Sequence, residues 1–152
     1  MQSRWIRSLL ATIALLASCA RPDATCDAVE TAIVTSYTQS PCSSPVGVCT
    51  SGATSVGGLA GATQFTALTM GPGPSPNLIL YGGDLVITTA DGTVTLSDHG
   101  LLNSSTGYYL EMQQVVSGTG AYAQRRGMLV SQGTATATGF EGALNGSICA
   151  SR

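Results

Sequence analysis

The chain has 152 residues, six basic side chains against eight acidic ones, and a formal net charge of −2. All six basic residues are arginines, and only four of them (Arg21, Arg125, Arg126 and Arg152) lie beyond the first 20 positions. That is too little positive charge to build a face that displaces phosphate counterions, so nucleic acid is excluded as a partner, and so is a polybasic membrane-binding patch.

The N-terminus is organised as an export signal. Residues 1–7 carry Arg4 and Arg7 and no acid, residues 8–17 are almost wholly apolar, and Leu16-Ala17-Ser18-Cys19 ends the run with small residues and a thiol. A basic head, an apolar run too short to span a bilayer and a small-residue cleavage site describe a secretory signal peptide. The last four residues resemble the lipobox of bacterial lipoproteins. That resemblance implies a signal peptide over 1–18, acylation of Cys19 and a membrane partner engaged through acyl chains. It also implies an extracytoplasmic place in a bacterial cell envelope, on the outer membrane if the cell is Gram-negative. The alternative is an ordinary secretory signal with an incidental cysteine. Residues 19–27 then read as a tether, and 28–152 as a single domain of a size that buries a core.

Four cysteines remain: Cys26, Cys42, Cys49 and Cys149. An even number in an exported domain implies disulfides, with three possible connectivities. Cys42 with Cys49 is favoured, because a Pro- and Ser-rich loop is stapled across its base, and this leaves Cys26 with Cys149 to join the two ends of the fold. Zinc is disfavoured by the spacings and by the remoteness of the only histidine, His99; neither a metal nor a cofactor is expected.

Along the rest of the chain Thr, Val, Gly, Ser and Ala dominate, which is strand-and-turn chemistry. Residues 28–37 read as a first strand, with Val29, Ile33 and Tyr37 on one face; a short helical start over 27–33 is the alternative. Residues 59–70 form the next, and the proline-rich stretch 71–77 must be a loop. Residues 78–81 and 84–90 follow, separated by Gly82-Gly83, which suggests a bulge or bend. Asp91-Gly92 predicts a tight hairpin turn into 93–98. Strands over 108–116, 127–137 and 140–148 complete the set.

About eight short strands with hairpin punctuation predict an all-β fold, an antiparallel closed barrel. Alternation assigns Tyr108, Leu110, Met112 and Val116 to one face of their strand, and Tyr109, Glu111, Gln113 and Val115 to the other. Phe140, Leu144 and Ile148 share a face in the same way. Placing apolar faces inward gives a candidate pocket wall of Phe65, Tyr108, Leu110, Met112 and Phe140, with Tyr81 near the mouth, for a small hydrophobic ligand. A narrow packed barrel without a cavity is the competing reading.

The segment Val115-Val116-Ser117-Gly118-Thr119-Gly120-Ala121-Tyr122, running on to Gly127, resembles the Gly-Gly-Thr-Gly-x-aromatic signature of the allene oxide cyclase and dirigent superfamily of β-barrels, with Ser117 in place of the first glycine. Residues 81–92 and 142–148 resemble strands that flank that signature, so the likeness spans roughly 58–149. It implies a calycin-like barrel whose end is plugged by Tyr122. It implies either ligand binding or cofactor-free cyclase or isomerase chemistry, in which the barrel orients an apolar substrate. No catalytic residue is carried over.

Individual candidates read modestly. Alternation turns Glu111 toward solvent, Asp98-His99 sits at a strand end as a hydrogen-bonding pair, and Asp84 caps the bend or serves as a pocket acid. Arg125 and Arg126, the only clustered positive charge, form with Asp84 a candidate rim. Two function classes follow: a lipoprotein barrel that binds a small apolar ligand or acts as an envelope interaction module, and an orienting cyclase or isomerase.

Overall fold

The computed structural model describes residues 25–150; Cys19 and the signal segment lie outside them. Eight strands follow one another: β1 (Cys26–Tyr37), β2 (Cys49–Thr54), β3 (Gly61–Pro72), β4 (Leu78–Thr89), β5 (Gly92–Asn103), β6 (Tyr108–Gly118), β7 (Arg125–Ala135) and β8 (Gly139–Ala150). Each pairs antiparallel with its chain neighbours, and β8 pairs with β1 to close the barrel. Closure leaves no strand edge open to pairing with another chain. Among the described residues the only helical element is a 3₁₀ turn, Gly120–Tyr122.

Both favoured disulfides are present. Cys26 and Cys149 face each other in the β1–β8 register, so their bridge pins the closing seam, and Cys42–Cys49 staples the long β1–β2 link at the mouth of β2.

The strand count agrees with expectation through two differences that offset each other. β2, built from Cys-Thr-Ser-Gly-Ala-Thr, has no apolar alternation and was not foreseen; its place is fixed by register with β1 and β3. Residues 78–81 and 84–90 are one continuous strand, β4. The irregularity expected at Gly82-Gly83 sits across the ladder on β3, where the register skips Leu68. Gly83 keeps β4 thin at that point: a Cβ there would lie 2.9 Å from the Phe65 ring. The hairpin turn falls one residue early, on Ala90-Asp91, and Gly92 opens β5 at φ +143°. β1 begins at Cys26, inside the span read as tether.

The barrel has two unlike ends. At the end holding Cys26, the 3₁₀ turn and the β4–β5 hairpin, a dry core is formed by Ile87, Val94, Leu96, Val115, Leu129, Leu144 and Ile148, capped by Leu59 and Tyr122. The Tyr122 hydroxyl donates to the Gly58 carbonyl. The other end, ringed by the links 38–48, 73–77, 104–107 and 136–138, is where apolar filling stops above Ile33 and Leu85.

The face assignment of β6 is corrected. Tyr109, Glu111, Gln113 and Val115 point into the barrel, while Tyr108, Leu110 and Met112 point outward at 47%, 41% and 56% exposure. The hydrophobic rule fails on this strand because its inner face carries the polar floor of a cavity, and its apolar face lies on the outside beside Leu80 and Val130. A bulge at Val116, where the register with β5 shifts, leaves that residue outward as well.

Candidate functional site

Above Ile33 and Leu85 the barrel encloses a cavity of about 30 Å³, lined by side chains from all eight strands. On the scale of roughly 10–15 Å³ per water-sized occupant, this is room for a small polar head rather than a whole ligand. Its apolar rim is Phe65, Tyr81 and Phe140, with Tyr109 below. Phe65 meets Tyr81 edge-on at 6.3 Å, and Phe140 meets Tyr109 at 5.4 Å and Tyr37 at 5.7 Å. Such edge-to-face contacts hold rings in fixed orientations.

The floor is polar, and register explains why its members meet. β6 delivers Tyr109, Glu111 and Gln113 at successive inward positions. Asp98 of β5 is the direct cross-strand partner of Gln113, and Ser131 of β7 that of Glu111. Gly100 faces Tyr81 on one side and Glu111 on the other, so the Tyr81 ring lies over it and the hydroxyl donates to Glu111 Oε1 at 2.7 Å. A Cβ on Gly100 would stand 2.3 Å from that ring. Gly142 does the same for Tyr109, whose hydroxyl would be 2.4 Å from a Cβ there. Glycine on a neighbouring strand thus lets each tyrosine cross the barrel wall's inner surface.

One amide joins two acids. Gln113 Nε2 donates to Asp98 Oδ2 at 3.0 Å and to Glu111 Oε2 at 3.1 Å, using both of its hydrogens. Ser131 Oγ donates to the Tyr109 hydroxyl at 3.2 Å. Asp98, Gln113 and Ser131 are buried at 1%, 0% and 0% exposure. Asp98 Oδ1 and Gln113 Oε1 have no hydrogen-bond partner among the described residues.

Burial and like charge act together on the acids. Loss of solvent, then the neighbouring Glu111 carboxylate, push Asp98 up to about 8, against the smaller lowering by the Gln113 bond. Glu111 is also raised, by desolvation, which outweighs its bonds from Tyr81 and Gln113. Desolvation and Glu111 raise Tyr81, and desolvation lifts Tyr109 to about 12. The cavity lining contains no arginine or histidine, and the chain has no lysine. In place of a solvated glutamate and a loop pair, Glu111 and Asp98 form one buried unit in mid-barrel, whereas His99 points outward from β5.

Of the wall expected from sequence, Phe65, Tyr81 and Phe140 lie at this cavity, and Tyr108, Leu110 and Met112 lie on the barrel's outside. The rim residues do not gather there. Arg125 is at the closed end, bonding the Asp27 carboxylate and the Ala121 carbonyl; Arg126 is exposed at the start of β7; Asp84 is exposed on the outer face of β4. The residues missed were Asp98, Tyr109, Gln113 and Ser131. Their one legible signal was the concentration of Glu and Gln at alternate positions of β6, opposite a row of apolar ones. Among the described residues no group of three or more His, Cys, Asp or Glu is arranged to hold a metal ion. In comparisons with known proteins, the chain matches no family model, no curated protein and no solved structure.

Proposed function

We propose that this chain is an exported, lipid-anchored β-barrel that binds one small organic molecule, polar end first, in the open half of the barrel. The observation that carries the reading is the cavity itself: a polar floor with two atoms unpartnered among the described residues, beside the aromatic side chains Phe65, Tyr81 and Phe140. Buried polar atoms without partners are costly, at roughly 1–3 kcal/mol each, and a ligand group that satisfies them recovers that free energy. The orientation suits an anchored receptor. Cys26 sits at the closed end, so an anchor at Cys19 attaches there and the mouth points away from the bilayer. The test is native mass spectrometry of the full chain extracted gently from its own envelope. A stoichiometric organic mass should accompany it, and should be lost when Phe140→Trp narrows the mouth. Recovery of the bare chain under conditions that preserve non-covalent complexes overturns the reading.

A second reading, cofactor-free cyclase or isomerase chemistry, is favoured by the same two carboxyls. An acid that keeps its proton near neutrality, beside a second acid and a tyrosine, is equipped to give and take protons on a substrate held in one shape. Under that reading Asp98→Asn retains the ligand and converts none of it. Under pure binding no conversion occurs in either form.

A further inference from the structure

Two polar atoms of the cavity lining lack a hydrogen-bond partner among the described residues. Gln113 spends both amide hydrogens on the two carboxylates and Tyr81 spends its own on Glu111. The two lining atoms left without a partner are Gln113 Oε1, an acceptor, and Asp98 Oδ1, an acceptor once its carboxyl is ionised. The amide presents its NH₂ side to both acids. The groups facing this pair from the packed strands are Tyr81 of β4, Tyr109 of β6 and Ser131 of β7. β1, β2, β3 and β8 contribute Ile33, Thr35, Thr50, Phe65 and Phe140, none of them charged. A buried Asp98 and a half-buried Glu111 therefore share a floor with no cation, beside the aromatic side chains Phe65, Tyr81 and Phe140.

Resting on the ligand-binding reading above, we infer that the cavity recognises a protonated primary amine, its ammonium group donating to Asp98 Oδ1 and Gln113 Oε1 and its apolar body leaving past Phe65 and Phe140. An ammonium group is close to water in size and fits a volume of about 30 Å³. It brings N–H donors to the two unpartnered oxygens, and the positive charge that the pair of carboxylates lacks. Without it, like charge in a dry site obliges the pair to keep a proton. With it, that proton leaves. The weakened acidity of Asp98 in the free protein, its carboxyl pushed up to about 8, supports this sequence.

The experiment is isothermal calorimetry on the full chain in detergent micelles, with 2-phenylethylamine, 2-phenylethanol, phenylacetaldehyde and phenylacetate as probes of one carbon skeleton. The amine should bind at least about tenfold tighter than the alcohol, and the carboxylate should not bind, as expected for a charge-assisted contact. Repeating the amine titration at pH 7 in buffers of different ionisation enthalpy should show release of about one proton per amine bound. Asp98→Asn and Glu111→Gln, each checked for native strand content by circular dichroism, should weaken the amine by at least about tenfold and abolish the proton release. If the alcohol or aldehyde binds as tightly as the amine, or the amine binds without proton release, the charge inference is overturned while the binding cavity stands. If none of the four probes binds and no organic mass accompanies the protein from its envelope, both fall.

Discussion

Asp98→Asn offers the sharpest test of how the barrel's polar floor is built. The carboxyl is 1% exposed and raised from 3.8 to about 8 in the folded chain. A raised acid makes the fold most stable below the unfolded value, and that contribution is lost as pH rises through the folded one. The full loss is about 5–6 kcal/mol, from the shift multiplied by 1.36 kcal/mol per unit, and about 4 kcal/mol of it is already gone at pH 7. Asparagine keeps the shape and the oxygen that accepts from Gln113, but has no proton to lose. The variant should therefore match the parent within about 1 kcal/mol at pH 4 and exceed it by several kcal/mol at pH 9. Urea unfolding of full-length parent and variant at the two pH values, with disulfides intact, measures this. Equal stability of the two proteins at pH 9, or a loss in the variant there, refutes a desolvated Asp98.

Gly100→Ala should drive a methyl into the Tyr81 ring, whose nearest atom would lie at 2.3 Å, and break the bond to Glu111 while the fold survives; loss of probe binding with a retained circular dichroism spectrum checks it. Outward Met112→Ala should cost less than about 1 kcal/mol, whereas Leu129→Ala in the closed-end core should cost roughly 2–5 kcal/mol in the same urea assay. Selective loss of the Cys26–Cys149 bridge, by Cys149→Ser, should lower stability by about 4–5 kcal/mol, since the bond closes a loop across a separation of 123 residues. Cys19→Ala should move the protein from the detergent phase to the aqueous phase in a partition assay, and unchanged partition would contradict the anchor.

Most of the architecture was readable because it rests on local chemistry. Val29 and Ile33 in β1, and Leu144 and Ile148 in β8, alternate in the way a half-buried strand must, and the disulfides follow from which loops their cysteines flank. β2 was unreadable because six small, mostly polar residues carry no periodic signal; neighbours of distant sequence decide its pairing. The site was misread for a physical reason. On β6 the apolar side chains Leu110 and Met112 face out and Glu111 and Gln113 face in, the reverse of what burial alone prefers. A local rule tends to fail where a site demands otherwise. Gly100 and Gly142 were equally opaque, because their meaning lies in the tyrosines that cross them from adjacent strands.

The polar floor requires that Asp98 and Glu111 form a desolvated, proton-holding pair inside the barrel. Carboxyl ¹³C NMR, following each acid through a pH titration of the ligand-free full chain, reports this residue by residue. Asp98 should titrate near 8 and Glu111 above the ordinary carboxylate range. Titration of both residues in the ordinary carboxylate range would mean that water reaches them, and the floor on which the site depends would not exist.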